Sequence, residues 1–206
     1  MKLISVPYID QTEKYPTGCE SISAVMLLQY LGYAITPEAF IDRCLTKRDF
    51  QFRQGRLYGP HPADAFIGSP YNNDKGSYGC YAPCIAAAVE RVVGERYRVR
   101  AEQGRDIAWL LRYIDRNMPV IFWATLNMEP SSPGITWHLS DREGEFQWVN
   151  HQHCLLLVGY DEEKYYFNDP WLNLGCIGYD RDLVEQRYRE MGAQAVVLEQ
   201  RGKEEI

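Results

Sequence analysis

Three positions in this sequence combine reactive residue types with placements that could serve covalent catalysis. Cys19 follows Thr17 and Gly18 and opens the run Glu20-Ser21-Ile22-Ser23-Ala24-Val25-Met26-Leu27-Leu28-Gln29-Tyr30-Leu31. A thiol in the first turn of a helix lies in the field of the helix dipole, among amide groups without intrahelical partners. Both favour the thiolate, and the thiolate is the nucleophile. The competing reading is a small apolar residue packing at a helix start. A thiol nucleophile needs a base. Of the four histidines, His153 is the best placed, where a polar loop gives way to the apolar strand Cys154-Leu155-Leu156-Leu157-Val158. His151 would share a strand face with it, as a rival base or as half of a metal pair. Both could equally be polar residues at a loop-to-strand boundary. A base needs an acceptor on its second nitrogen, and Asn168-Asp169 ends the next strand. A four-residue turn centred between Glu162 and Glu163 sets Asp169 opposite Leu156, on the face away from His153, and leaves Asn168 on the right face. A bulge reverses that parity, so both residues stay in play.

The remaining cysteines offer less. Cys154 follows His153 on a strand and points to the opposite, apolar face as a core thiol. Cys80 and Cys84 lie four apart beside a helix start without a second ligand pair, so no metal is expected. Cys44 and Cys176 have no evident partner. A chain of 206 residues can bury a core without disulfide staples, and the six cysteines are read as reduced. Trp137, Trp148, Tyr58 and Tyr71 fall in two long loops, where aromatics either line a substrate groove or anchor the loop.

The elements that position these residues are legible in outline. The helix from Cys19 is apolar nearly all round after its first turn, so it belongs in the core with only that turn reaching the surface, and Gly32 closes it. Thr36-Pro37 opens a short helix to about Leu45. Residues 46 to 82 read as a long loop. Helices follow over Pro83–Val93 and Asp106–Asn117, where Pro119 stops the chain. Strands are expected over Val120–Leu126, His153–Tyr160 and Tyr165–Asp169, with a loop from Asn127 to Trp148. A helix over Asp182–Met191 and a strand over Ala193–Gln200 complete the pattern. Helices first and strands second argue for an α+β fold, with N-terminal helices packed on a C-terminal antiparallel sheet. One domain over residues 1–200 and a flexible tail over 201–206 are expected.

Composition bounds the function class. With 46% hydrophobic and 24% charged residues and a net charge of -6, the chain is an ordinary globular one without the basic footprint of a nucleic-acid binder. No apolar run approaches the roughly 18 to 20 residues that span a bilayer, and the N-terminus lacks a signal-peptide segment. No nucleic-acid partner, no membrane segment and a cytoplasmic location are therefore expected.

Four blocks of sequence, in order, carry a family resemblance. They are Val6-Pro7-Tyr8-Ile9-Asp10-Gln11 with Pro16-Thr17-Gly18-Cys19-Glu20-Ser21-Ile22-Ser23, then Met118-Pro119-Val120-Ile121, then His153-Cys154-Leu155-Leu156-Leu157-Val158-Gly159-Tyr160-Asp161, and last Tyr166-Phe167-Asn168-Asp169-Pro170. The chain resembles the double-glycine-leader cysteine peptidases, and more closely their stand-alone relatives, the peptidase family thirty-nine-like domains of the papain-like superfamily, over roughly residues 3 to 198. The resemblance implies a papain-like fold, Cys19 as nucleophile, His153 as general base and then acid, and Asp169 as the group orienting His153. It also implies that the Gln11 amide and the Cys19 backbone N–H form the oxyanion hole. The implied activity is hydrolysis of a peptide or amide bond in a peptide or protein substrate, through an acyl-enzyme and without a cofactor. Acyl transfer by the same thiol, or a non-catalytic peptide-binding domain of the same fold, are the alternatives. The leader peptidases usually form one end of a membrane exporter with an ATP-binding domain; no membrane segment or Gly-rich phosphate loop occurs here, so leader export is not expected.

Overall fold

The computed structural model describes residues 1–74 and 76–202. Helices α1 (Cys19–Tyr30), α2 (Pro37–Arg43), α3 (Ala82–Val93), α4 (Ile107–Asp115) and α5 (Arg181–Glu190) accompany thirteen strands. The strands are β1 (Lys2–Leu3), β2 (Lys47–Arg48), β3 (Gln51–Arg53), β4 (Arg56–Gly59), β5 (Phe66–Ile67), β6 (Tyr97–Gln103), β7 (Val120–Thr125), β8 (Ser132–Leu139), β9 (Glu145–Asn150), β10 (Gln152–Tyr160), β11 (Lys164–Asp169), β12 (Gly175–Asp180) and β13 (Gln194–Gln200).

The helix boundaries follow from local chemistry. Thr36 accepts a hydrogen bond from Ala39 N with Pro37 in the first turn, and Asp106 accepts from Trp109 N at 2.7 Å. Each satisfies an amide that the helix leaves unpaired. Asp180 does the same for α5. Gly32, with φ +87°, supplies the left-handed residue just beyond α1.

The main sheet is antiparallel throughout, in the order β12-β11-β10-β7-β13-β6, with β1 added beside the end of β10. Both of its faces are covered, which is why β7 is buried at all six positions and reads as an unbroken apolar run instead of an alternating one. Cys154, Leu156 and Val158 of β10 pack with Ile22, Val25 and Met26 of α1 and Ile85 and Val89 of α3. Leu155 and Leu157 pack on the other face with Leu110 and Ile114 of α4 and Val184 and Tyr188 of α5. Helix α1 is the central member of the first layer, with Cys19 to Leu28 all buried. Truncating Leu27, which is fully buried, to Ala would cost about 2 to 5 kcal/mol through lost burial and the cavity left behind.

Two expectations are corrected here. The first turn of α1 does not reach the surface: Glu20, Ser21 and Ser23 are fully buried. The segments read as long loops hold strands β2 to β5, β8 and β9. Strands β3, β4, β8 and β9 build a separate four-stranded sheet in that order, joined at its centre by a parallel pairing of Tyr58 with His138 and Gly59 with Leu139, and β2 pairs in parallel with β5. Its aromatic side chains form their own small core around Trp137 and Trp148. Strands β6 and β12, which the sequence reading left unassigned, complete the main sheet. Of the expected tail, residues 203–206 lie outside the described residues. Among the described residues no helix is long and apolar enough to cross a membrane.

Candidate active site

The site lies where the start of α1 meets the start of β10. Ser23 of α1 donates to Cys154 O at 3.2 Å, which fastens the helix that begins at Cys19 to the strand that carries His153. Cys19 and Cys154 are both buried in the core layer that α1 forms against the sheet.

His153 is buried, and its Nε2 pairs with Asp169 Oδ1 at 2.8 Å. Asp169 is held from three more directions. Trp171 N donates to Oδ1 at 3.0 Å, the Tyr179 hydroxyl donates to Oδ2 at 2.9 Å, and the Tyr8 hydroxyl donates to the Asp169 carbonyl at 3.0 Å. Burial pushes the Asp169 carboxyl up. The charge of His153 and the hydrogen bonds from His153, Trp171 and Tyr179 outweigh it, so the carboxyl is held below its ordinary value of 3.8. The Nδ1 of His153 has no partner among the described residues, which leaves one ring nitrogen open to a reacting group.

Asp169 and Asn168 compete for this position, and a bulge decides between them. Tyr160 pairs with Tyr165 and Gly159 with Tyr166, but beyond Val158 the register slips, so Leu157 faces Phe167 and Leu156 faces Asn168. That extra residue on β10 turns Asp169 to the His153 side. Asn168 instead donates to Val6 O at 3.3 Å and Pro7 O at 3.4 Å on the α1 side.

The Val6–Gln11 segment is fastened to the same loop. Gln11 N donates to Pro170 O at 2.9 Å, Leu172 N donates to Thr12 Oγ1 at 2.9 Å, and Asn173 N donates to Asp10 Oδ1 at 3.4 Å. Leu172 and Asn173 both adopt positive φ, 49° and 53°, a strained pair for residues with side chains. Gln11 is buried; its Nε2 donates to Pro16 O at 3.2 Å, which uses one of its two N–H groups, and its Oε1 has no partner among the described residues. The backbone N–H of Cys19 heads the helix, where no intrahelical acceptor exists.

Cys19 itself does not carry the expected electrostatics. Its thiol donates to Glu20 Oε2 at 3.3 Å. Burial pushes the thiol well above its ordinary value of 9.0; the charge of Glu20 and the Cys154 thiol push the same way, and the Cys154 N–H offsets them only in part. The field of the helix start is thus overridden by desolvation and an adjacent acid. Glu20 is fully buried, with Oε1 accepting from Cys80 N at 2.8 Å and from Gln152 Nε2 at 3.0 Å. Burial raises its carboxyl above 4.5, and hydrogen bonds from Cys80, its own backbone, Gln152 and Cys19 only moderate the rise.

Other sequence candidates fall outside this constellation. His151 is exposed with φ 66°, which interrupts the extended chain and turns its Nδ1 to Pro130 O at 3.1 Å, so it shares no face with His153. Trp137 and Trp148 are buried anchors of the small sheet, Trp137 bonding through Nε1 to Pro60 O at 3.0 Å. Among the described residues, no group of three or more His, Cys, Asp or Glu is arranged to hold a metal ion. Glu20, Gln152, Tyr8 and Tyr179 are contacts that sequence reasoning did not single out. Only Glu20 left a trace, as a lone acid in a helix otherwise suited to the core.

Comparisons with known proteins bear on the family and the fold. The model of the Peptidase_C39 like family matches residues 3–196. The uncharacterized protein YvpB of Bacillus subtilis (strain 168) is 28% identical over 187 residues, spanning 88% of this chain and 69% of that protein. A crystal structure of a Bacillus anthracis protein assigned to the C39-like peptidases superposes with a TM-score of 0.86 at 26% identity, covering 98% of this chain and 100% of the other. Two more distant structures share the fold. One is a double glycine motif protease from an AMS/PCAT transporter in complex with its leader peptide (TM-score 0.52, 15% identity, 97% and 94% covered). The other is the peptidase domain of Streptococcus ComA, a bi-functional ABC transporter (TM-score 0.53, 14% identity, 97% and 98% covered).

Proposed function

The chain belongs to the Peptidase_C39 like family, and we propose that within it this protein is a thiol hydrolase that cleaves a peptide or amide bond through Cys19, His153 and Asp169. The observation that carries the reading is the buried 2.8 Å pair of His153 Nε2 with Asp169 Oδ1, on the strand to which the Cys19 helix is fastened through Ser23 and Cys154 O. Asp169 fixes the ring so that Nδ1 is the nitrogen available to the thiol. In the reaction the Cys19 proton passes to Nδ1, the sulfur bonds to the substrate carbonyl carbon, and the carbonyl electron pair moves to oxygen. The Cys19 N–H and the remaining Gln11 Nε2 hydrogen receive that oxyanion. His153 then protonates the departing amine, and water releases the acyl group from sulfur. Because Gln11 and Asp169 sit on segments tied together through Pro170, oxyanion support and base orientation share one mounting.

A peptide substrate follows from family and fold, and a single domain over residues 1–200 is sufficient for this chemistry. The test is digestion of a peptide library followed by mass spectrometry, with an added amine nucleophile as competing acceptor, for the wild type and Cys19→Ala. Cleavage products that vanish in Cys19→Ala establish hydrolysis, and predominance of amide exchange would recast the protein as a transferase. If neither appears and a peptide aldehyde forms no adduct at Cys19, the fold serves peptide binding and the enzymatic reading is wrong.

A further inference from the structure

Glu20 is the largest unexplained expense of this fold. A carboxyl sealed from solvent with no cationic partner is costly, and the structure surrounds it with deliberate neutral donors. The Cys80 peptide is fixed on both sides, its N–H directed to Glu20 Oε1 and its carbonyl accepting from Trp123 Nε1 at 3.1 Å. Gln152, the residue before His153, supplies the second donor to Oε1. Gly79 leaves room for both: a Cβ there would lie 2.5 Å from Glu20 Oε1 and 2.8 Å from Gln152 Oε1, and its φ is +143°. With Oε1 satisfied by these two, Oε2 is turned to the Cys19 thiol.

From this arrangement we infer that Glu20 is the resting partner of the nucleophile: it accepts the Cys19 S–H and holds the free protein as a neutral thiol, so that acylation begins with transfer of that hydrogen from the Glu20 contact to His153 Nδ1. The inference rests on the reading of Cys19 as nucleophile. The step is a redirection of one proton. The S–H···O contact is given up, the S–H bond breaks as N–H forms at Nδ1, and the sulfur pair attacks the carbonyl. Glu20 takes no proton in the step, and its charge raises the thiol and so opposes a persistent thiolate, which exists chiefly when a carbonyl is present to consume it. A buried acid that touches the reacting sulfur through one oxygen, and is anchored through the other, does not belong to the packing alone.

The titratable neighbours are few. From β10 the pair is faced by the Cys154 thiol and from the segment leading into α3 by the Cys80 thiol; Cys84 acts on Cys80, and Asp169 of β11 acts on Cys154. Of these groups, only Glu20 hydrogen-bonds to the Cys19 thiol through its side chain.

The test is the pH dependence of Cys19 alkylation by iodoacetamide, followed on the Cys19 peptide by mass spectrometry, with exposed Cys176 as internal reference. In Glu20→Gln the midpoint is expected to fall by about one unit or more, equivalent to about tenfold faster labelling of Cys19 near pH 7, with Cys176 unchanged. An unmoved or higher midpoint in a folded Glu20→Gln protein overturns the inference. Should that variant not fold, the unaltered protein answers through the infrared S–H stretch in the difference between wild type and Cys19→Ser at pH 7. A hydrogen-bonded thiol band is expected, and its absence overturns the inference. His153→Ala, measured alongside, separates the two claims. If it leaves Cys19 reactivity and peptide cleavage untouched, the hydrolase reading fails, whatever Glu20 does to the thiol.

Discussion

Asp169 and Glu20 are both carboxyls buried beside the same strand, yet their surroundings drive them in opposite directions. Asp169 faces the ring of His153 and gathers two further donors, and its carboxyl is held below 3.8. Glu20 meets the Cys80 N–H, its own backbone, a side-chain amide and a thiol, and its carboxyl is raised above 4.5. Burial is common to both, so burial does not decide the sign; the charge of the partner does. A pair of acids separated in this way by environment is the pattern by which one site assigns different proton roles to chemically similar groups.

The sharpest way to break the comparison is Asp169→Asn. Removing the carboxylate beneath a buried histidine should slow turnover by about 10⁴-fold and destabilise the fold by about 3 kcal/mol, measured by steady-state hydrolysis and urea unfolding. An activity within tenfold of wild type would show that His153 is oriented by something other than this pair.

Stability as a function of pH separates the two acids next. Asp169 has a depressed folded-state value, so its contribution is fully present above 3.8 and is lost as the pH falls through that depressed value. Glu20 has a raised value, so stability is intact below 4.5 and declines as the pH rises through the folded-state value. Urea titrations from pH 3 to 8 should therefore lose the acid-side decline in Asp169→Asn and, in Glu20→Gln, the decline that sets in above 4.5. The same change of slope in both variants would erase the distinction.

Trimming one donor from each acid is expected to do less. Tyr179→Phe removes a hydrogen bond to a charged, buried oxygen and should cost about 1.5 kcal/mol, whereas Gln152→Ala, which relieves a carboxyl less committed to its charge, should cost about 1 kcal/mol. Chemical denaturation resolves the two, and a larger loss at Gln152 would mean that Glu20 is the more strongly charged acid. The smallest effect belongs to His151→Ala, less than about twofold on turnover, since that ring is exposed and turned to Pro130.

Much of this was legible in the sequence because it is local. The caps at Thr36 and Asp106, the glycine after α1, and the apolar runs of β7 and β10 are all written within a few residues. The small sheet was not legible. Strands β3 and β4 are three and four residues long, β8 begins Ser132-Pro133-Gly134, and the Tyr58–His138 pairing joins segments far apart in the chain. Such strands exist because Trp137 and Trp148 give them something to pack on, a tertiary cause that periodicity does not register. At the site, the residue types at Cys19 and His153 were readable, but the orienting group turned on one backbone irregularity. Glu20 was hidden for a related reason: an acid in a first helical turn ordinarily serves the helix dipole from the surface, and only the packing of β10 and residues 79–80 over it removes it from water.

The extra residue at Val158 makes chain length, as well as residue identity, a determinant of chemistry. Removing one residue from that hairpin would leave both Asn168 and Asp169 in the sequence and exchange their places, presenting an amide to His153 and sending a carboxylate toward Met26. A single codon deletion that removes neither residue can thus change which side chain His153 meets.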